Sequence, residues 1–145
     1  MNMSDKIYIP PEGPPRTQIP SAIVFETMGQ ENIERMIGDF YRELENSTIR
    51  DLFPDDMQLS AHKSALFFVG FLGGPPLYQQ EYGAPMLRAR HLPFPITEET
   101  REVWLGCFDR ILDRASVAYG FPEDQVPVFR TFLHQFSRWM VNRES

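Results

Sequence analysis

The positions of helix breakers constrain this chain more than any other feature. Proline lacks an amide hydrogen and has a fixed φ, so it starts, stops or kinks helices. Five of the 13 prolines (Pro10, Pro11, Pro14, Pro15 and Pro20) fall in residues 1–20, with few core-forming residues around them. That segment reads as an extended or polyproline-like arm that packs loosely, or as a ligand for a proline-recognising module. Gly73-Gly74-Pro75-Pro76 is a strong stop, and Gly83, Pro85, Pro93 and Pro95 punctuate the chain up to residue 96. Long helices are left to residues 21–53, 55–72 and 97 onward.

Inside those windows the apolar residues recur with helical period. Ile33, Met36, Ile37, Phe40, Tyr41 and Leu44 form one stripe of a helix from about Glu31 to Glu45. A shorter helix over Ser21–Thr27 precedes it and ends near Gly29. Ser47–Phe53 reads as a tight connection, and Asp55 or Asp56 as the N-cap of a helix reaching Leu72. A helical turn fits Met86–His91. Thr97, followed by Glu98 and Glu99, caps a helix carrying Val103, Trp104, Cys107, Phe108, Ile111, Leu112 and Ala115 and closing at Gly120. Pro122, Glu123 and Asp124 open the last helix, striped by Phe129, Phe132, Leu133, Phe136 and Met140. No segment alternates with period 2. The expectation is an all-α fold of four substantial helices in two pairs, with a broken stretch between the pairs. A break of that length in a helical domain points to a site.

Composition narrows the function. The 145 residues suit one domain, divided as an arm over 1–20 and a helical domain over 21–145. A formal net charge of −6 argues against a nucleic-acid binder. One cysteine, Cys107, excludes an intramolecular disulfide and a cysteine-cluster metal site. No apolar run approaches the roughly 20 residues that span a bilayer. The start, Met-Asn-Met-Ser-Asp-Lys, shows no secretory leader. A soluble, cytoplasmic protein without membrane contact is expected. There is no HExxH, GxSxG or P-loop string among residues 1–145. The 12 Phe, 5 Tyr and 2 Trp suggest a core of flat side chains or a large flat ligand. Of His62, His91 and His134, only His91 is set among helix breakers, and on spacing alone it reads first as a structural or surface residue.

The strings Gly73-Gly74-Pro75-Pro76-Leu77-Tyr78 and Pro85-Met86-Leu87-Arg88-Ala89-Arg90-His91-Leu92-Pro93-Phe94-Pro95-Ile96, with Trp104 downstream, resemble the haem-binding stretch of the group II truncated haemoglobins. Phe40-Tyr41 and Phe53-Pro54-Asp55-Asp56 extend the resemblance, which covers residues 22–142. It implies a globin-like two-over-two helical sandwich around haem b, with His91 as proximal iron ligand. It places Tyr41 and Trp104 in the distal pocket, Ser60 at the distal gate and Ser64 one turn on. It implies haem contacts from Phe40, Phe67, Phe68, Tyr78, Met86, Leu87, Phe94 and Ile96. Lys63 and Arg90 match the haem propionates, with Arg88 as a further candidate. Taken without the family, Tyr41 and Trp104 read as core residues and the cations as solvated surface.

Two departures stand out. Phe53 occupies a position where many members carry tyrosine, so Tyr41 and Trp104 would carry more of the ligand stabilisation. Ala84 stands where members often have histidine. His62 lies two positions past Ser60 and should point away from the pocket. The resemblance implies reversible binding of a diatomic gas (O2, CO or NO), served by a reductase, in a monomer or homodimer. The alternative is a haem redox enzyme acting on peroxide or nitrogen oxides. A third class, a cofactor-free helical interaction protein, leaves the broken stretch unexplained.

Overall fold

Gly29 takes φ 77° and ψ 164°, a conformation that suits glycine, and so divides the first helix, α1 (Ile23–Glu45), into a short and a long run. A computed structural model describes residues 6–145, and among them the regular elements are all helices, with no strand. Residues 1–5 and most of the segment behind the no-leader expectation lie outside them. After α1 come a 3-10 turn at Arg50–Leu52, then α2 (Met57–Phe71), α3 (Leu77–Tyr82), α4 (Leu87–His91), α5 (Glu98–Leu112), α6 (Ala115–Tyr119), a second 3-10 turn at Glu123–Gln125 and α7 (Val126–Met140). No described helix is long and apolar enough to cross a membrane.

The capping residues act as the sequence predicts. Asp56 accepts from the Leu59 amide at 3.0 Å, and Thr97 from the Thr100 amide at 3.2 Å. Gly120 closes α6 in the left-handed conformation. Two boundaries differ from expectation. The helix expected from Thr97 to Gly120 breaks at Asp113–Arg114, where Arg130 of α7 grips both Asp109 and Asp113. The break swings α6 onto α1, where Tyr119 Oη donates to Asp39. The last helix begins at Val126 rather than beside Pro122, because residues 123–125 wind as a 3-10 turn.

Helices α1 and α2 form one pair, α5 and α7 the other, and α1 crosses α5. Their apolar stripes meet in a phenylalanine cluster with one ring from each long helix. Phe40 lies 4.0 Å from Phe108, which is 5.8 Å from Phe68 and 5.6 Å from Phe129, centroid to centroid. The edge-on and tilted geometries are those that aromatic quadrupoles favour.

The Gly-Gly-Pro-Pro stop is also a packing device. Gly73 has φ 107°, and a Cβ there would sit 2.5 Å from the Ala22 Cα. The Phe25 amide donates to the Leu72 carbonyl at 3.0 Å, so the start of α1 is held against this turn. Gly73→Ala combines backbone strain with a clash against backbone. It should destabilise the protein by about 2–3 kcal/mol in urea or thermal unfolding.

The arm is irregular, as its prolines demand, but it does not pack loosely. Pro10 and Pro20 are buried. Gln135 Oε1 of α7 accepts from the Arg16 and Thr17 amides, and Gln125 Oε1 from the Ser21 amide. The Tyr8 amide donates to the Asn142 carbonyl at 2.8 Å. Proline frees the arm from helix formation, and α7 with the residues flanking it supplies partners for its backbone.

Candidate functional site

The two helix pairs do not close on each other everywhere. Between them, and under the broken stretch 73–96, lies a cavity of about 300 Å³ with mostly apolar walls. That volume is at the lower end of the range for small-molecule sites. The cavity takes Phe40 and Tyr41 from α1, Ser60, Lys63, Ser64, Phe67 and Phe68 from α2, and Tyr78 from α3. Leu87, Arg90 and His91 come from α4, Trp104 from α5, and Phe53, Phe94 and Ile96 from connections. Thus the residues named from the sequence converge on one space, with two exceptions, Met86 and the further cation candidate Arg88. Met86 does not line it. Its positive φ of 44° at the start of α4 leaves the side chain largely exposed.

His91 is held from its own helix. Its Nδ1 lies 2.6 Å from the Leu87 carbonyl oxygen. A carbonyl only accepts, so Nδ1 carries the proton and Nε2 keeps its lone pair. Burial pushes the His91 pKa below the ordinary histidine value, opposed in part by the Leu87 bond. A half-buried, neutral imidazole with an anchored Nδ1–H and a free Nε2 is the form in which histidine ligates metals. Among the described residues no cluster of His, Cys, Asp and Glu could hold a bare metal ion. Any iron here would have to arrive inside a cofactor.

The polar donors form a second group. Phe40 packs edge-on to both Tyr41 and Trp104, with centroids 5.5 and 5.4 Å away. Tyr41 also meets Phe53 at 6.0 Å. Burial raises the Tyr41 pKa, and the Ser64 hydroxyl alongside partly offsets this, so the phenol stays protonated and able to donate. The Trp104 indole donates to no acceptor among the described residues. Among the described residues no buried side-chain nitrogen or oxygen is left without a partner, so this N–H is not sealed in the core, and Trp104 lines the cavity. Phe53 brings no donor.

Cations stand at the cavity edge. Lys63 Nζ lies 5.1 Å over the Tyr82 ring, and the Arg90 guanidinium 6.0 Å from Tyr78. Arg88 does not join them. Its guanidinium donates to the carbonyls of Tyr8, Trp139 and Val141 and stacks 4.5 Å over the Trp139 ring. His62 is exposed and lies outside the cavity.

The wall also includes Ile49, Leu52, Pro54, Thr100, Arg101, Phe136, Ser137 and Met140, none of them named as site residues from the sequence. Phe136 and Met140 were visible only as members of an apolar stripe. Thr100 and Arg101 sit one turn before Trp104 and carry no signal of their own. Arg101 is engaged by Glu98, the Ser137 hydroxyl and the His134 carbonyl.

A flat macrocycle carrying iron and two carboxylates fits this set of groups. It needs one neutral imidazole, apolar aromatic walls and cations at one edge, and these are the groups the cavity presents. Comparisons with known proteins point the same way. The model of the family described as "Bacterial-like globin" matches residues 23–140. The chain is 42% identical over 94 residues to the group 2 truncated hemoglobin YjbI of Bacillus subtilis, covering 64% of this chain and 71% of the relative. The phosphate-bound Hell's gate globin IV superposes with a TM-score of 0.81 at 32% identity, covering 90% of this chain and 81% of that one. The truncated oxygen-avid haemoglobin of Bacillus subtilis gives 0.69 at 37% identity, covering 81% and 98%.

Proposed function

This chain belongs to the bacterial-like globins, as a truncated haemoglobin of group II, and from that premise we propose that it binds one haem b through His91 Nε2 and takes up dioxygen reversibly. Family membership carries the coarser part: a haem protein that binds diatomic gas. The observation that carries the finer part is the cavity itself, where an anchored, neutral His91 and two side-chain donors line the same apolar space.

Haem would supply an iron centre at which a diatomic gas binds reversibly. The protein's own residues do the rest. The Leu87 carbonyl fixes the His91 tautomer and ring orientation. Phe40, Phe53, Phe67, Phe68 and Phe94 supply apolar wall and limit the entry of water. Tyr41 Oη and Trp104 Nε1 offer hydrogen bonds to a ligand that gains negative charge on binding, with Ser64 supporting Tyr41. Ser60 is small and leaves the gate on α2 open. Lys63 and Arg90 are placed to pair with the propionates. Among the relatives, one matched structure is described as oxygen-avid. The tyrosine and tryptophan donors here suit the same ligand.

Titrating the haem-free protein with haemin tests the reading. A Soret band should grow and saturate at one equivalent, and the reduced form should bind carbon monoxide and dioxygen. A spectrum that never saturates, or a reduced form indifferent to both gases, would overturn it. Sustained oxidation of an electron donor by peroxide, lost on replacing Tyr41 or Trp104, would assign the pocket to redox catalysis instead.

A further inference from the structure

Three chain segments far apart in sequence meet on the short helix that carries His91. Helix α4 has five residues, too few to hold its shape alone. Arg88, one turn before His91, donates to the Val141 carbonyl at 3.0 Å, to the Trp139 carbonyl, and to the Tyr8 carbonyl at 2.8 Å. Among the described residues Arg88 has no carboxylate partner, so its half-buried charge rests on these carbonyls and on the Trp139 ring. Asn142, fully buried, donates from Nδ2 to the His91 and Phe94 carbonyls at 3.2 and 3.0 Å. Its Oδ1 accepts from the Ile96 amide at 2.9 Å.

The arm completes this arrangement. The Tyr8 amide donates to the Asn142 carbonyl, and the Tyr8 carbonyl accepts from Arg88. Tyr8 thereby joins Arg88, on α4, to Asn142, which holds the end of α4 from outside. Arg138 of α7 fixes the arm in turn, bonding the Tyr8 hydroxyl at 3.1 Å and Glu12 at 3.1 Å. The bonds in this set go to the backbone of His91 and of the segment just after α4 (Phe94 and Ile96), or to the side chain one turn before His91. The set therefore controls where the imidazole stands, beyond adding stability.

We propose that the N-terminal arm is a positioning element for His91: through Tyr8 it closes an Arg88–Asn142 lock that fixes the orientation of the imidazole toward the iron. The proposal rests on the haem reading above. Tyr8, Arg88 and Asn142 are positioning residues, acting through the backbone of α4. A misaligned imidazole weakens its bond to iron and changes the frequency at which that bond stretches. Groups that orient a metal ligand typically alter affinity by about 10- to 100-fold when removed.

The test uses the full chain loaded with haem. Resonance Raman of the reduced form reads the iron–histidine stretching band, and transfer to apomyoglobin reads haemin loss. Arg88→Met should shift or broaden the band and speed haemin loss about tenfold. Arg138→Gln, which loosens the hold on Tyr8 and Glu12 and leaves α4 intact, should do the same to a smaller degree. Arg88→Lys keeps the charge without the fork and should fall between Arg88→Met and the parent. In the haem-free chain, Arg138→Gln should speed hydrogen exchange at the Leu92 amide, which bonds back to Arg88 and Ala89.

An unchanged band and unchanged haemin loss in both Arg88→Met and Arg138→Gln would overturn the proposal. So would a lower Tm with the band in place, because it would make the arm a stabiliser only. If Arg88→Met does not fold, Arg138→Gln decides. A parent protein that takes up no haemin would sink the haem reading, while the hydrogen-exchange arm would still test the lock.

Discussion

Replacing His91 with alanine should abolish the five-coordinate ferrous spectrum and cut haem retention by more than about 100-fold. The bound is the upper end of the range seen when groups merely supporting a metal ligand are removed, and His91 would be the ligand itself. No other histidine can take its place. His62 is exposed on α2, away from the cavity, and the exposed His134 also lies outside it. His62→Ala and His134→Ala should therefore leave the spectrum intact. Exogenous imidazole should restore the five-coordinate spectrum in His91→Ala, because the substitution opens a space shaped for that ring beside the Leu87 carbonyl. The fold should survive, since His91 stands outside the phenylalanine cluster that unites the four long helices. A His91→Ala protein with the parent's ferrous spectrum would remove the residue from the iron.

Much of this site was legible in the sequence because turn chemistry is local. Asp56, Thr97 and Gly120 cap helices for reasons that lie within four residues of each, and Gly73-Gly74-Pro75-Pro76 stops α2 wherever the rest of the chain goes. The same locality placed His91 on a turn between prolines. What was not legible depends on distant partners. The arm lies on α7 through side chains such as Gln135 and Arg138, bonded to backbone and carboxylates more than 100 positions away. Such contacts have no period and no composition. The break at Asp113–Arg114 is likewise set by Arg130, on another helix. Phe136 and Met140 illustrate a different limit. An apolar residue facing a cavity obeys the same periodicity as one facing the core, so the stripe gives the face and not what the face meets.

Tyr41→Phe and Trp104→Phe should each speed dioxygen release about tenfold. Each loses one hydrogen bond, worth about 1 kcal/mol or more in a dry pocket, and tenfold corresponds to about 1.4 kcal/mol. Both variants keep an aromatic ring against Phe40, so packing changes little and the readout isolates the donor. The double variant separates two arrangements. If the donors act independently, the effects multiply to about 100-fold. If they bond the same ligand atom, removing one lets the other tighten, so each single effect is blunted and the double effect exceeds the product of the two. Tyr41 and Trp104 line the same cavity and both pack on Phe40, so the double variant decides between the two arrangements. Phe53→Tyr supplies the complementary check, since Phe53 lies 6.0 Å from Tyr41 and a hydroxyl there would add a third donor. It should slow dioxygen release in the parent, and it should recover part of the loss in Tyr41→Phe. Carbon monoxide, which gains less charge on binding, should respond far less to all of these changes. Equal acceleration of both gases would mean that the substitutions had opened the pocket and not removed hydrogen bonds.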